Sequence, residues 1–341
     1  MHSLSLRYLL RASSQRTPQA ALQNQSLVMG TMIQRLFSSP VNSKLVKQLR
    51  EMTGSPLKDC MKTLEETNGD LEQAKELLRK RGLADAEKRV GRATAEGFVG
   101  MKLDRQSKLL TMIELHCETD FVAKTDKFKE GIERLVETLH KQGPSVNFHQ
   151  NDISNVDKIN ALIKSLKLDI PLDHDLKEQT IEEGIKYVIS KTQENVRLAK
   201  IYQRQWNPSE GEILNAYVHN PELLHKVTIG KIGSSVLMKA EDKKHNAELE
   251  ALSQQLALHI AAMRPVYLNK QQVPQEVKQK LLEEGPADKA LWKMFTKDVL
   301  MEQELATSEE SLKVKQLIRD RESELGSPLL IKEWTLFNIG A

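Results

Sequence analysis

Between Gly97 and Leu139 the spacing of apolar residues changes period, and few folds accommodate such a change. Gly97 to Leu103 and Lys108 to Cys117 alternate with period two, separated by the polar run Asp104-Arg105-Gln106-Ser107. That pattern predicts a β-hairpin. From Phe128 the period becomes helical. Phe128, Ile132, Leu135, Val136 and Leu139 trace one face, closed by Gly143-Pro144. The run His116-Cys117-Glu118-Thr119-Asp120-Phe121-Val122-Ala123-Lys124 lies at the changeover. An acid, a large ring and a branched apolar residue are thus expected where a strand becomes a helix. Such a junction is held by rigid elements on both sides and often carries function. By residue type alone, Phe121 and Val122 equally suit the local core.

The same two periods organise the rest. Three short helices are expected between Asn42 and Gly82. The first carries Leu45, Val46, Leu49 and Met52. The second opens with Ser55 as cap and Pro56 at its first position. Asp70 and Gln73 form a capping-box pattern for the third, which Gly82 should stop. Three such helices resemble a ubiquitin-associated (UBA) bundle. Residues 84–94 read as a charged helix or tether. Helices are expected over 176–194, 246–263, 274–284, 288–304 and 311–323. Strands are expected around Leu198 to Tyr202, over 212–218 and 225–239, and over 329–337. Gly230 and Gly233 mark a bend or bulge in the strand over 225–239. The predicted class is α+β: a UBA-like N-terminal bundle, then two subdomains, each a small antiparallel sheet flanked by helices.

Hydrophobic content of 39% and charged content of 28% match a soluble globular chain. No apolar run approaches the roughly 18 residues of a membrane span. The N-terminus differs in kind. Met1 to Arg50 contain no Asp or Glu, while Arg7, Arg11, Arg16 and Arg35 are spaced among Ser, Gln, Ala and Leu. This is the profile of a mitochondrial transit peptide and predicts a matrix location. The whole chain carries 50 basic and 47 acidic residues; without those four arginines the basic count is 46. The near-neutral remainder calls for no nucleic-acid footprint. Cys60 and Cys117, the only cysteines, suit reduced buried thiols.

Catalytic constellations are not found in the sequence. There is no CxxC, HExxH, GxSxG or GxxxxGK[ST] pattern. His116 and Cys117 are strand neighbours and point to opposite faces. Gly230-Lys231-Ile232-Gly233-Ser234 lacks the residue order of a phosphate loop. The expectation is therefore a non-enzyme with no cofactor, no metal and no nucleotide of its own.

The hexapeptide Thr119 to Lys124, TDFVAK, resembles the signature of the elongation factor Ts family. A second segment runs from Leu45-Val46-Lys47-Gln48-Leu49-Arg50 through Thr53-Gly54, Asp59-Cys60 and Asn68-Gly69-Asp70. It is similar to that family's N-terminal domain, in the expected order and spacing. Weaker similarity continues through Glu194-Asn195-Val196-Arg197-Leu198 and Leu258-His259-Ile260-Ala261-Ala262. The resemblance implies a guanine-nucleotide exchange factor acting on elongation factor Tu, here the mitochondrial Tu, as a heterodimer. It implies that Thr119, Asp120, Phe121 and Val122 bind the partner and dislocate its Mg²⁺. For His259 it leaves open a partner contact or a buried or capping role. The divisions expected are a transit peptide over 1–38, the UBA-like domain over 42–83 and a linker over 84–96. A subdomain carrying the TDFVAK tip follows over 97–197, then a C-terminal one over 198–341. Thr125 stands where Asn is common in the family, and no long heptad hairpin joins the second-half helices. The competing class is an RNA- or ribosome-associated scaffold; strands lacking interleaved aromatic and basic residues weigh against it.

Overall fold

A computed structural model of the chain describes residues 42–146, 148–149, 152–243, 247–284, 295–307 and 311–340. The expected transit peptide lies outside the described residues. The chain forms two units, Met1–Arg81 and Gly82–Ala341.

In the first unit lie α1 (Ser43–Thr53), α2 (Leu57–Glu66) and the start of α3 (Leu71–Arg89). Val46, Leu49, Cys60, Leu64, Ala74 and Leu78 form their common core. The Asn42 side chain caps α1, and Gly54 closes it in the left-handed conformation at φ 67°. Pro56, not Ser55, takes the cap position of α2. Its carbonyl accepts the N–H groups of Asp59 and Cys60, so its missing N–H costs nothing there. Asp70 accepts the Gln73 N–H at 3.0 Å, as the capping pattern predicts.

The expected stop at Gly82 is not observed. The helix continues to Arg89 through Leu83, Ala84 and Ala86, all good helix formers. A Cβ at residue 82 would lie 3.0 Å from the Ser190 Cβ, so glycine here permits close packing instead of termination.

The second unit is built on two antiparallel sheets. β1 (Glu96–Asp104) and β2 (Leu109–Cys117) form the expected hairpin, and Asp104 accepts the turn N–H groups of Gln106 and Ser107. A one-turn helix, α4 (Asp120–Ala123), leads into α5 (Asp126–Gln142), followed by α6 (Val156–Ser165) and α7 (Ile181–Thr192). α7 begins five residues later than the pattern predicts, because Thr180 and Glu183 form a reciprocal capping box. β3 (Val196–Gln205) pairs with β2. Then come β4 (Glu212–Val218), β5 (Glu222–Leu224), β6 (Val227–Gly230) and β7 (Ile232–Ala240). The single strand expected over 225–239 is therefore two. The chain changes sheets at Lys231: β6 pairs with β1 and β7 with β4. Glycine flanks the crossing because the chain passes so close to its neighbours. A Cβ at Gly230 would lie 2.5 Å from Val218 Cγ1, and one at Gly233 2.8 Å from Val99 Cγ1.

α8 (Ala247–Met263), α9 (Gln275–Glu284), α10 (Val314–Leu325) and β8 (Leu329–Asn338) complete the described elements. Much of the helix expected over 288–304 lies outside the described residues; residues 295–298 are helical and Leu300–Glu302 form a 3₁₀ turn. α10 starts at Val314 instead of Ser311.

The five-stranded sheet has the order β3-β2-β1-β6-β5 and the three-stranded sheet β4-β7-β8. Strand alternation sorts the residues into three cores. Ile113, Leu115 and Ile229 pack with Phe128, Ile132, Val136 and Val188 beneath α5 and α7. Val236 and Met238 pack with Leu252, Leu256, Ile260 and Leu317 beneath α8 and α10. Val99, Met112 and Tyr202 meet Leu214, Leu237 and Phe337 between the sheets. The result is a helix–sheet–sheet–helix stack. The α+β class and the two small sheets follow the expectation; their face-to-face packing does not appear in any local pattern.

Candidate functional site

The changeover from β2 to α5 is built by two consecutive threonine caps. Thr119 is extended, and its hydroxyl accepts the Val122 N–H at 3.4 Å, starting α4. Thr125 does the same for α5 through the Phe128 N–H at 3.3 Å, while donating its hydroxyl proton to the Val122 carbonyl at 2.7 Å. The chain thus makes two sharp entries into helix within seven residues.

The consequence for the four predicted site residues is a division of labour. Val122 is only 9% exposed and Ala123 is fully buried, both within the core beneath α5. Phe121 points the other way and is 80% exposed, the largest exposure among the described large apolar residues. Of the two residues that suited the core by type, one enters it and the other does not. An exposed phenylalanine ring leaves a large apolar area in water, which favours its burial against a partner. Asp120 is partly exposed, and its carboxylate accepts from Lys124 Nζ at 2.8 Å. That hydrogen bond holds the Asp120 carboxyl below the ordinary carboxylate range and raises Lys124. Asp120 is therefore an anion at neutral pH.

The base of the tip is tied to the start of β3. The ladder between β2 and β3 reaches the pair Cys117 and Val196. Beyond it, side chains replace backbone partners. The Thr119 N–H donates to Glu194 Oε2 at 2.9 Å, and the Thr119 hydroxyl donates to Glu194 Oε1 at 2.6 Å. In return the Asn195 N–H donates to Glu118 Oε1 at 2.7 Å. Arg92 joins from before β1, its carbonyl accepting from Asn195 Nδ2 and its guanidinium 3.5 Å from Glu118. Cys117 Sγ donates to the Thr119 carbonyl at 3.1 Å. Burial, with the Glu194 carboxylate adding to it, pushes the Cys117 thiol up to about 12.

Glu118, Glu194 and Arg92 have no expected role from the sequence. Glu194 lies 75 residues from Thr119, and no periodicity links them. The only signal is that Glu194 opens a segment similar to the Ts family.

His259 sits far from this tip along the chain, in α8, and is fully buried. Its Nδ1 accepts the Ala306 N–H at 3.1 Å, so the ring proton is on Nε2, which donates to Gln303 Oε1 at 2.9 Å. Both nitrogens are spent on internal partners. Of the two roles left open for it, the geometry is that of the buried one. Gly230 to Ser234 form the crossing from β6 to β7. Among the described residues, no group of three or more His, Cys, Asp or Glu could hold a metal ion. Nor is any described helix long and apolar enough to cross a membrane.

Fold and site together define an α+β chain of two face-packed antiparallel sheets bearing a rigidly mounted aromatic tip at a strand-to-helix junction. The family model for elongation factor Ts matches residues 118–341, from the base of that tip to the end of the chain. The chain is 35% identical over 316 residues to elongation factor Ts of Aquifex aeolicus, covering 88% of this chain and 98% of that one. It is 29% identical to elongation factor Ts of Lawsonia intracellularis, covering 88% and 99% of the two chains. For that of Clostridium novyi the identity is 30%, with 88% and 93% covered. The chain belongs to the elongation factor Ts family.

Proposed function

We propose that this chain is a guanine-nucleotide exchange factor that promotes GDP release from mitochondrial elongation factor Tu, acting in the mitochondrial matrix. The observation that carries the reading is the Phe121 ring, held in solvent on an anchored tip of family sequence. A factor that binds nucleotide-free Tu more tightly than GDP-bound Tu weakens GDP by the same ratio. Each 1.4 kcal/mol of differential contact, roughly, speeds release about tenfold.

Much of the GDP affinity of such a GTPase runs through Mg²⁺ bridging the phosphates. Phe121 acts as the apolar wedge between Tu elements beside that ion. The Asp120 anion, held by an exposed i,i+4 pair worth little, exchanges Lys124 for a group on Tu. Thr119 and Val122 keep the tip in shape. GTP then rebinds to the emptied partner, and the factor itself holds no nucleotide.

Residues 42–83 serve as a UBA-like domain gripping a second face of Tu, a use supported by the part-exposed Met52, Leu57 and Met61 on α1 and α2. Residues 84–96, the end of α3 and the turn into β1, link it to the two-sheet body that follows. The acid-free, arginine-spaced sequence over 1–38 supports the transit peptide and the matrix address.

The test is release of labelled GDP from mitochondrial Tu, with and without the full chain, in Mg²⁺ and after chelation. The chain should accelerate release by orders of magnitude in Mg²⁺ and far less once the ion is gone. No acceleration, or tight GDP binding by the isolated chain, would contradict the reading.

A further inference from the structure

A helix of four residues cannot set its own direction. Helix nucleation is unfavourable, and one turn satisfies few of its own backbone groups. α4 must therefore take its orientation from its anchors. Val122 and Ala123 fix one side by packing. The other side is held at Thr119, whose polar groups are all engaged. Its N–H and hydroxyl both donate to the Glu194 carboxylate, its Oγ1 accepts from Val122, and its carbonyl accepts from Ala123 and Cys117.

The helix cap requires only the threonine oxygen. The second pair of bonds, to Glu194, goes beyond what the cap needs. It also requires partial desolvation of a carboxylate at the mouth of β3, where Glu194 is half-buried. What it provides is direction: a two-point, charge-assisted grip on the residue two before Phe121. Glu118 and Asn195 repeat the exchange in the opposite sense, so the junction resists twisting as well as lifting.

We infer that Glu194 is a positioning residue for exchange: its carboxylate presets the angle at which the Phe121 ring enters the partner. This rests on the proposed exchange reading. The ring then meets Tu already ordered, and the binding energy is spent on displacing the partner's loops instead of organising the tip.

The experiment compares GDP release from Tu at saturating factor for the parent, Glu194→Ala, Phe121→Ala and the double variant, with thermal unfolding of each. Glu194→Ala should lower the maximal rate about tenfold while Phe121 is present, and less than about twofold in the Phe121→Ala background, since the group being positioned is then gone. Glu194→Gln, which keeps one acceptor, should fall between parent and Glu194→Ala, and it is scored the same way should Glu194→Ala fail to fold.

A parental rate for either Glu194 variant, or an equal proportional loss in both backgrounds, would overturn the inference, because a merely structural role is indifferent to Phe121. If Phe121→Ala alone releases GDP at the parental rate, it is the exchange reading of the tip that fails.

Discussion

Cys117 sits two residues before the tip's cap, buried, with its thiol proton directed at the Thr119 carbonyl. With its pKa pushed from an ordinary 9.0 up to about 12, the thiolate fraction at pH 8 is about a thousandfold below that of a free cysteine. Alkylation by iodoacetamide at pH 8 should therefore leave Cys117 unmodified in the native chain and modify it promptly in denaturant, as read by peptide mass. Rapid native labelling would mean that the junction opens far more readily than its bonds suggest. The linkage runs in the same sense. The folded chain keeps a proton that the unfolded chain loses above about pH 9, so this residue favours the fold below that pH and ceases to between about 9 and 12.

At the scale of elements, the crossing at Lys231 is what makes two sheets share one interior. Gly230→Ala places a methyl 2.5 Å from Val218 Cγ1 and 2.7 Å from the His219 carbonyl. The fold should lose about 1–3 kcal/mol, read from denaturant midpoints at unchanged m-value. An unchanged midpoint would mean that β4 yields more easily than its packing implies. This crossing also marks where the sequence stops being informative. The hairpin of β1 and β2 was legible because alternation and a polar turn are local facts, and α5 because its buried stripe has a helical period. The tip was legible as a junction. The change of sheet was not: Gly230 and Gly233 marked a bend within one strand over 225–239, and only the approach of Val218 and Val99 from elsewhere turns that bend into a crossing between sheets. Gly82 misleads for the same reason: glycine marks either a helix end or a close neighbour, and the neighbour, Ser190, is 108 residues further along the chain. The Glu194 grip on Thr119 is likewise a long-range fact.

At the scale of the whole molecule, two buried histidines tie its stability to pH. Burial holds His259 below its ordinary value of 6.5, against the raising effect of Gln303. Burial, with Lys102 assisting, does the same for His140, while Asp104 opposes. A folded-state value below the unfolded one means that the unfolded chain binds a proton the fold refuses. This stability is complete above about pH 6.5 and erodes as pH falls below it. Tm should drop between pH 7.5 and 5.5, and His259→Gln should flatten that dependence; equal slopes would assign it elsewhere. In the proposed mechanism it is the exposed Phe121 ring that drives GDP out of Tu. The measurement is the maximal rate of GDP release from mitochondrial Tu with the full chain carrying Phe121→Ala, its Tm and circular dichroism matched to the parent. A wedge worth about 2 kcal/mol predicts a rate about 30-fold lower. A folded variant that releases GDP at the parental rate would contradict it.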